Sequence, residues 1–566
     1  MKSEHRMVLA IVLATAFFIL WYTVLNPNKE VARQETAVQQ QAPASVQAST
    51  AAPTSVSSEA PAPSPAQRAE DDPQTAIEVR TWKISNDLIE AEFTNDGGVA
   101  TSWKMKKYNA TIDKNSPLID LSSSASEVIP AFALSFVDAD IFFPKNPRYE
   151  MISADDSHVS FRWRSAEIEI LKTIELVKGT YQADVSIEMK NLTSRPIRLK
   201  PKMAWGSRYL PMKSGGFLGL GRQQPVEAMS PVYFMNGKAH RESDIAKLGL
   251  MKKETGSLLW SALEGRYFIA SIIPRIQGEE LSSESGVIKS ADGSGAVASL
   301  WTSAVLPEKI IPAGDIGKSL FSTYAGPKDL ELLKRVGVEM DKAIDYGWFT
   351  IIAIPIVYLL QFFHEIINNY GIAIIMLTIF VKLLLHPINA KSLKSMKEMQ
   401  RVQPQLKELQ KKFKDDKQRL NQETMALFKA HKVNPMGGCL PMLAQFPIYI
   451  ALYKVLWNSI ELFRAPFFWF YKDLSAPDPY YIMPILLGLF MAAQQLLTPS
   501  ASADPAQKKM MMIMPIMFCI FMLFLPVGLV LYILVNTVMS VTQQWLYNKG
   551  IRMRDLIRGK WQPAAS

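Results

Sequence analysis

GIAIIMLTIFVKLLLHPINA, residues 371–390, is long and apolar enough to cross a bilayer, and it carries one charge near its middle, Lys382. An ammonium at the centre of a spanning helix costs about 2.5–3.5 kcal/mol on insertion scales. Such a residue faces protein or water and marks function by default. Snorkelling to the cytosolic surface at Lys391 would require the lysine stem to cover roughly 13 Å at helical rise, more than it reaches unaided. A hydrated groove open to the cytosol is the sharper reading. Thr378, Gln445, Gln494, Gln495, Tyr532 and Asn536 would line it, although each alone is also ordinary interhelical glue.

Further apolar runs surround this one. Met436–Trp457, Tyr480–Leu497, Met510–Leu525 and Val527–Leu546 are candidate spans. Trp348–Phe363 carries Pro355 and ends in polar residues, so it is expected to lie in the interface as an amphipathic helix. Met7–Leu25 follows Lys2 and Arg6 and ends in Trp21-Tyr22 without a small-x-small site. That favours an uncleaved anchor over a signal peptide and makes six spans in all. Between Ile388 and Pro435 there are twelve Lys/Arg against five Asp/Glu, whereas Ser459–Pro479 holds only Arg464 and Lys472. The positive-inside rule then places the 388–435 loop and both termini in the cytosol. The +10 net charge thus reads as topology, not as a nucleic-acid surface.

Residues 30–76 are Gln, Ala, Ser, Thr and Pro with few large apolar side chains, a composition that cannot bury a core. From about Ile77 to Phe321 short alternating runs recur: His158–Trp163, Glu167–Ile174, Tyr181–Met189, Ser257–Ala262, Tyr267–Ile273 and Ala296–Ser303. Lys178-Gly179-Thr180 reads as a hairpin turn, and the whole as a large extracytosolic β-sandwich. Cys439 and Cys519 both lie in apolar runs, so no disulfide framework supports this domain.

The basic cytosolic segment is expected to be a helical hairpin. Met396, Met399, Leu406, Leu409 and Phe413 form a stripe, Pro404 would kink the first helix, and Asp415 with Gln418 resembles a capping box. It is either a solvated pair that sets topology or a platform for clients. Met510, Met514 and Met517 are either lipid-facing residues or an adaptable apolar slide for clients. Lys454, near the outer end of its run, is expected to snorkel.

No acidic residue lies inside the five C-terminal runs, so Lys382 lacks an obvious carboxylate partner and no proton relay is visible. Gly317-Lys318-Ser319 has Pro312 where a P-loop needs glycine, and His364-Glu365 lacks the second histidine of a zinc protease. No catalytic residue, metal site or cofactor is read. A small-molecule transporter would need inverted repeats, which are not seen. An anchored periplasmic sugar-binding protein remains open.

Four segments occur together in order: Tyr324–Leu333 (YAGPKDLELL), Val433–Pro441 (VNPMGGCLP) with Gln445 and Pro447, Asp473–Ser475 with Asp478–Tyr481 (DPYY), and Pro526–Tyr532 (PVGLVLY). They resemble the YidC membrane insertases, relatives of the mitochondrial oxidase-assembly and plastid thylakoid insertases. The resemblance implies a five-helix insertase core beside a periplasmic β-supersandwich similar to sugar-mutarotase folds. It also implies a cytosol-facing groove at Lys382, Thr378, Gln445 and Tyr532. Nascent membrane proteins would be the clients, in the bacterial inner membrane, alone or with the Sec translocon. The ribosome and the signal recognition particle receptor are further implied partners. The expected boundaries are 1–29 anchor, 30–76 linker, 77–325 β domain, 326–370 interfacial region, 371–547 core with its hairpin at 390–433, and 548–566 basic tail. Lys382 stands where the family typically has arginine, and Ile533 follows Tyr532 where many relatives have a second tyrosine.

Overall fold

The computed structural model describes residues 77–113, 115–122, 128–210, 228–242, 248–276, 279–292, 296–413, 416–431, 433, 440–498 and 505–549. The expected anchor, the linker and the tail beyond Lys549 lie outside them.

Alternation decides the β domain. In Ile168–Leu176 every second side chain, from Ile168 to Leu176, points into the core. The chain turns at Gly179, whose φ of +70° suits glycine, and returns as Gln182–Asn191 in antiparallel register, Leu176 opposite Ala183. These strands belong to a nine-stranded antiparallel sheet. Its order is Lys238–Arg241, Met229–Met235, Leu258–Gly265, Phe268–Pro274, Ile316–Pro327, Gln182–Asn191, Ile168–Leu176, His158–Arg164 and Glu150–Ala154. A five-stranded sheet and a four-stranded sheet complete the sandwich. Trp103, Phe132 and Trp205 pack together in its core, with ring centroids 5.1–5.9 Å apart. Strand Ile316–Pro327 runs two residues past the expected edge at 325, because its pairing with Phe268–Pro274 continues to Pro327. Gly317-Lys318-Ser319 lies inside that strand, not in a phosphate-binding loop.

One inward position on Ile168–Leu176 is Lys172, fully buried. Its ammonium donates to the carbonyls of Gly98 at 2.7 Å and Phe132 at 2.5 Å, and burial pulls its pKa down to about 7.

After a short helix α1 (Leu330–Val336), capped by the Asp329 carboxylate on Leu332 N, the chain turns helical. The longer helices are α2 (Thr350–Ile367), α3 (Tyr370–Leu384), α4 (His386–Lys412), α5 (Lys417–Ala430), α6 (Leu440–Asn458), α7 (Ile482–Leu497), α8 (Pro505–Met522) and α9 (Val527–Asn548). Each expected apolar run in the described region is a helix. With its leading 3-10 turn, Gly347–Ile367 is long and apolar enough to cross a membrane, as is α9.

The opening stretch is not one straight span. Helix α3 stops at Leu384, α4 begins at His386, and their axes differ by 63°. Pro387 is the cause: its ring lacks an N–H and suits only the first turn of a new helix. Lys382 therefore sits in the last turn of α3, just before the bend. Fifteen residues rise about 22 Å, short of the ~30 Å hydrocarbon core. At the other end Gly371 passes so close to Phe467 that a Cβ would fall 2.0 Å from the ring, which leaves room for glycine alone.

One other expectation changes. The cap of α5 is Asp416, not Asp415, because Asp416 directly precedes the first helical residue and its carboxylate accepts from Arg419 N at 2.9 Å. Helix α4 runs through Pro404 without a break, and Met399, Val402 and Leu406 meet Phe428 of α5 and Val433. Lys454, near the outer end of α6, pairs with Asp345 at 3.3 Å.

The β domain and the helices touch through the loop after α6. Arg464 donates to the backbone carbonyls of Asn109, Ala110 and Thr111. Phe463 packs on Tyr267 and Phe268, and the Arg266 guanidinium lies 3.8 Å over the Trp457 ring.

Candidate functional site

Polar residues are spaced by one helical turn on three helices. Thr378, Lys382 and His386 continue from α3 into the start of α4, Gln445 and Tyr449 lie on α6, and Tyr532, Asn536 and Ser540 lie on α9. Residues four apart on one helix share a face, so Thr378 with Lys382, Gln445 with Tyr449, and Tyr532 with Asn536 and Ser540 are stripes, while His386 follows the bend at Leu385. The stripes converge. Lys382 Nζ donates to Asn536 Oδ1 at 3.0 Å and to Ser540 Oγ at 2.6 Å. Gln445 Nε2 donates to Tyr532 Oη at 3.2 Å and Asn536 Oδ1 at 3.3 Å. Asn536 Nδ2 donates to Tyr449 Oη at 2.5 Å, and the Tyr449 and Tyr532 rings meet edge to face. Lys382 is only 8% exposed, and both of its hydrogen-bond partners are neutral.

The sequence-predicted set is thus partly assembled. Lys382, Gln445 and Tyr532 join one network through Asn536. Thr378 is buried one turn away, but its hydroxyl donates to Ile374 O of its own helix, so it packs beside the network without joining it. Ser540 and Tyr449 were missed by sequence reasoning. The four-residue spacing Tyr532–Asn536–Ser540 carried the signal, but a serine in an apolar run rarely stands out. Of the proposed methionine slide, Met514 and Met517 are half exposed on α8, as are Met512 and Ile516, while the Met510 side chain lies outside the described residues.

Two of the four family-like segments, Asp473–Ser475 with Asp478–Tyr481 and Pro526–Tyr532, hold the starts of α7 and α9. Asp478 is buried. Its carboxylate accepts from Met483 N at 2.8 Å, Tyr480 N at 3.0 Å and Tyr471 Oη at 3.1 Å, tying the start of α7 to the preceding loop. Val527 N and Gly528 N donate to Ala476 O and Leu474 O, anchoring α9 to the same loop. Among the described residues no group of three or more His, Cys, Asp or Glu side chains is placed to hold a metal ion.

Comparison with known proteins agrees along the chain. The family model described as "YidC periplasmic domain" matches residues 81–359, and "60Kd inner membrane protein" matches residues 362–554. A "Membrane protein insertase YidC" of Syntrophus aciditrophicus is 37% identical over 570 residues, covering 96% of this chain and 99% of the relative. The chain belongs to the YidC membrane protein insertase family. A YidC insertase of Geobacter metallireducens is 33% identical over 97% of this chain. A crystal structure titled "Active YidC insertase crystal structure with the first transmembrane domain resolved" aligns at TM-score 0.35 and 18% identity, covering 82% of this chain and 91% of that one. The chain is an inner-membrane protein with a periplasmic domain, and the β domain described above is that domain.

Proposed function

We propose that this YidC-family chain inserts client membrane proteins through a groove lined by Lys382, Gln445, Tyr532 and Asn536, with Thr378 packed behind. One observation carries the reading: an ammonium buried among apolar helices whose hydrogen-bond partners among the described residues are neutral. A client's short acidic extracytosolic segment enters from the cytosol and is drawn to that charge. Its apolar segment moves into lipid along α6 and α8, past Met510, Met514 and Met517. Burial of that segment supplies most of the driving force, roughly 25 cal/mol per Å². A membrane potential negative inside adds about 2.3 kcal/mol per 100 mV for each negative charge moved out. The short α3 and its bend at Leu385 support the mechanism by shortening the low-dielectric path.

Both termini and the α4–α5 hairpin lie in the cytosol, and Gly347–Ile367 lies along the periplasmic interface. The Sec translocon, the ribosome and the signal recognition particle receptor are partners to test by crosslinking from the hairpin. The work is non-enzymatic: no bond is made or broken. Complementation of an insertase-depleted strain tests the site. Lys382→Arg preserves growth and insertion, and Lys382→Glu abolishes both; full complementation by the glutamate variant would overturn the electrostatic role.

A further inference from the structure

Asn536 is surrounded by groups that can all donate to it. Its Oδ1 takes Lys382 Nζ at 3.0 Å and Gln445 Nε2 at 3.3 Å, and its Nδ2 reaches Tyr449 Oη at 2.5 Å. The amide orientation follows from those partners, because an ammonium and an amide NH₂ cannot accept. A carboxylate would suit the same position as well or better. The Tyr449 hydroxyl would turn and donate, Gln445 would be unchanged, and the lysine would gain a counter-ion at charge-assisted distance. The chain has the neutral isostere instead. Ser540, one turn on, is neutral as well; it takes Lys382 at 2.6 Å and passes its own proton to Asn536 O. A lysine, unlike an arginine, brings no rigid fork, so its position depends on such acceptors.

The neutrality has an electrostatic consequence. In a buried site of low effective dielectric a fixed carboxylate beside Lys382 would cancel most of its field, and an approaching acid would meet a dipole rather than a charge. We propose that Asn536 is a positioning residue that holds the Lys382 ammonium with a neutral acceptor, so that its charge stays uncancelled for one acidic residue of a client's translocated segment. This rests on the groove reading above and adds the residue that sets its charge selectivity.

The test uses the full chain reconstituted in vesicles. Two versions of a single-span client are compared, with one aspartate or one asparagine in the translocated segment. Insertion is read by protease protection. Asn536→Asp is expected to lower insertion of the aspartate client at least fivefold more than that of the asparagine client, with no fall in thermal midpoint. Unchanged insertion of the aspartate client overturns the proposal, and so does an equal loss for both clients, which would mark Asn536 as merely structural. Lys382→Gln, run alongside, separates the two levels. If it impairs the aspartate client while Asn536→Asp does not, only the role of Asn536 falls. If it has no effect either, the groove reading itself falls.

Discussion

Lys172 in the β domain and Lys382 in the helical module are both buried, and neither has a carboxylate among its hydrogen-bond partners. Lys328, buried at the end of the sheet, shows the conventional solution: it pairs with Glu264 at 2.8 Å. What differs between the first two is the acceptor. Lys172 is held by two backbone carbonyls, of Gly98 and Phe132, fixed by the fold. Lys382 is held by two side chains on a single helix, which can turn to other partners. A lysine on backbone acceptors is a strap between layers. A lysine on side-chain acceptors is a charge that can be handed over.

The largest test of this contrast is a charge reversal at each site. Lys382→Glu should reduce client insertion tenfold or more in vesicles, whereas a change confined to Lys172 should leave insertion by the folded protein within twofold. Next, Lys172→Met should destabilise the β domain by about 2 kcal/mol at pH 11, above both the folded and the unfolded pKa of the amine, where the loss is that of two hydrogen bonds to buried carbonyls. Tryptophan fluorescence during thermal unfolding of the detergent-solubilised chain reads this.

Per pH unit, a smaller effect follows from titration. The folded-state pKa of Lys172 lies near 7 and the unfolded value near 10.4, so between them the unfolded chain binds the extra proton. Stability therefore rises with pH across that window, by at most about 1.4 kcal/mol per unit, and Lys172→Met should remove that part of the slope. The smallest change is expected from Lys382→Met. Asn536 and Ser540 keep other partners, Tyr449 and the α9 backbone, so the thermal midpoint should shift by the equivalent of about 1 kcal/mol or less while insertion of acidic clients is lost. A large fall in stability would make Lys382 a strap like Lys172 and end the comparison.

The two lysines were unequally legible in the sequence. Lys382 announces itself because nothing else in its stretch is charged. Lys172 sits in EIEILKTI, whose parity places it with Ile170 and Ile174 on the inward face, so the signal was there. A lysine in a half-polar strand passes as a solvated residue unless the register is followed through it. The strands and the hairpin at Gly179 were readable because alternation and turn chemistry are local. The break at Leu385 had its cause in plain view, Pro387, but apolar length outweighed it in the reading. The network at Asn536 was least legible: which of several polar side chains meet depends on how α3, α6 and α9 pack, and spacing within one helix does not give that.

Arg464 closes on three consecutive carbonyls of the β domain from a loop whose other end begins α7. In mechanical terms the two parts of the chain are geared. A torque on the β domain is delivered through Asn109–Thr111 to the outer end of α6, the helix that carries Tyr449 at its middle and Gln445 towards its other end. The domain is then a handle on the helices, and a load applied in the periplasm has a stiff route to the residues around Lys382.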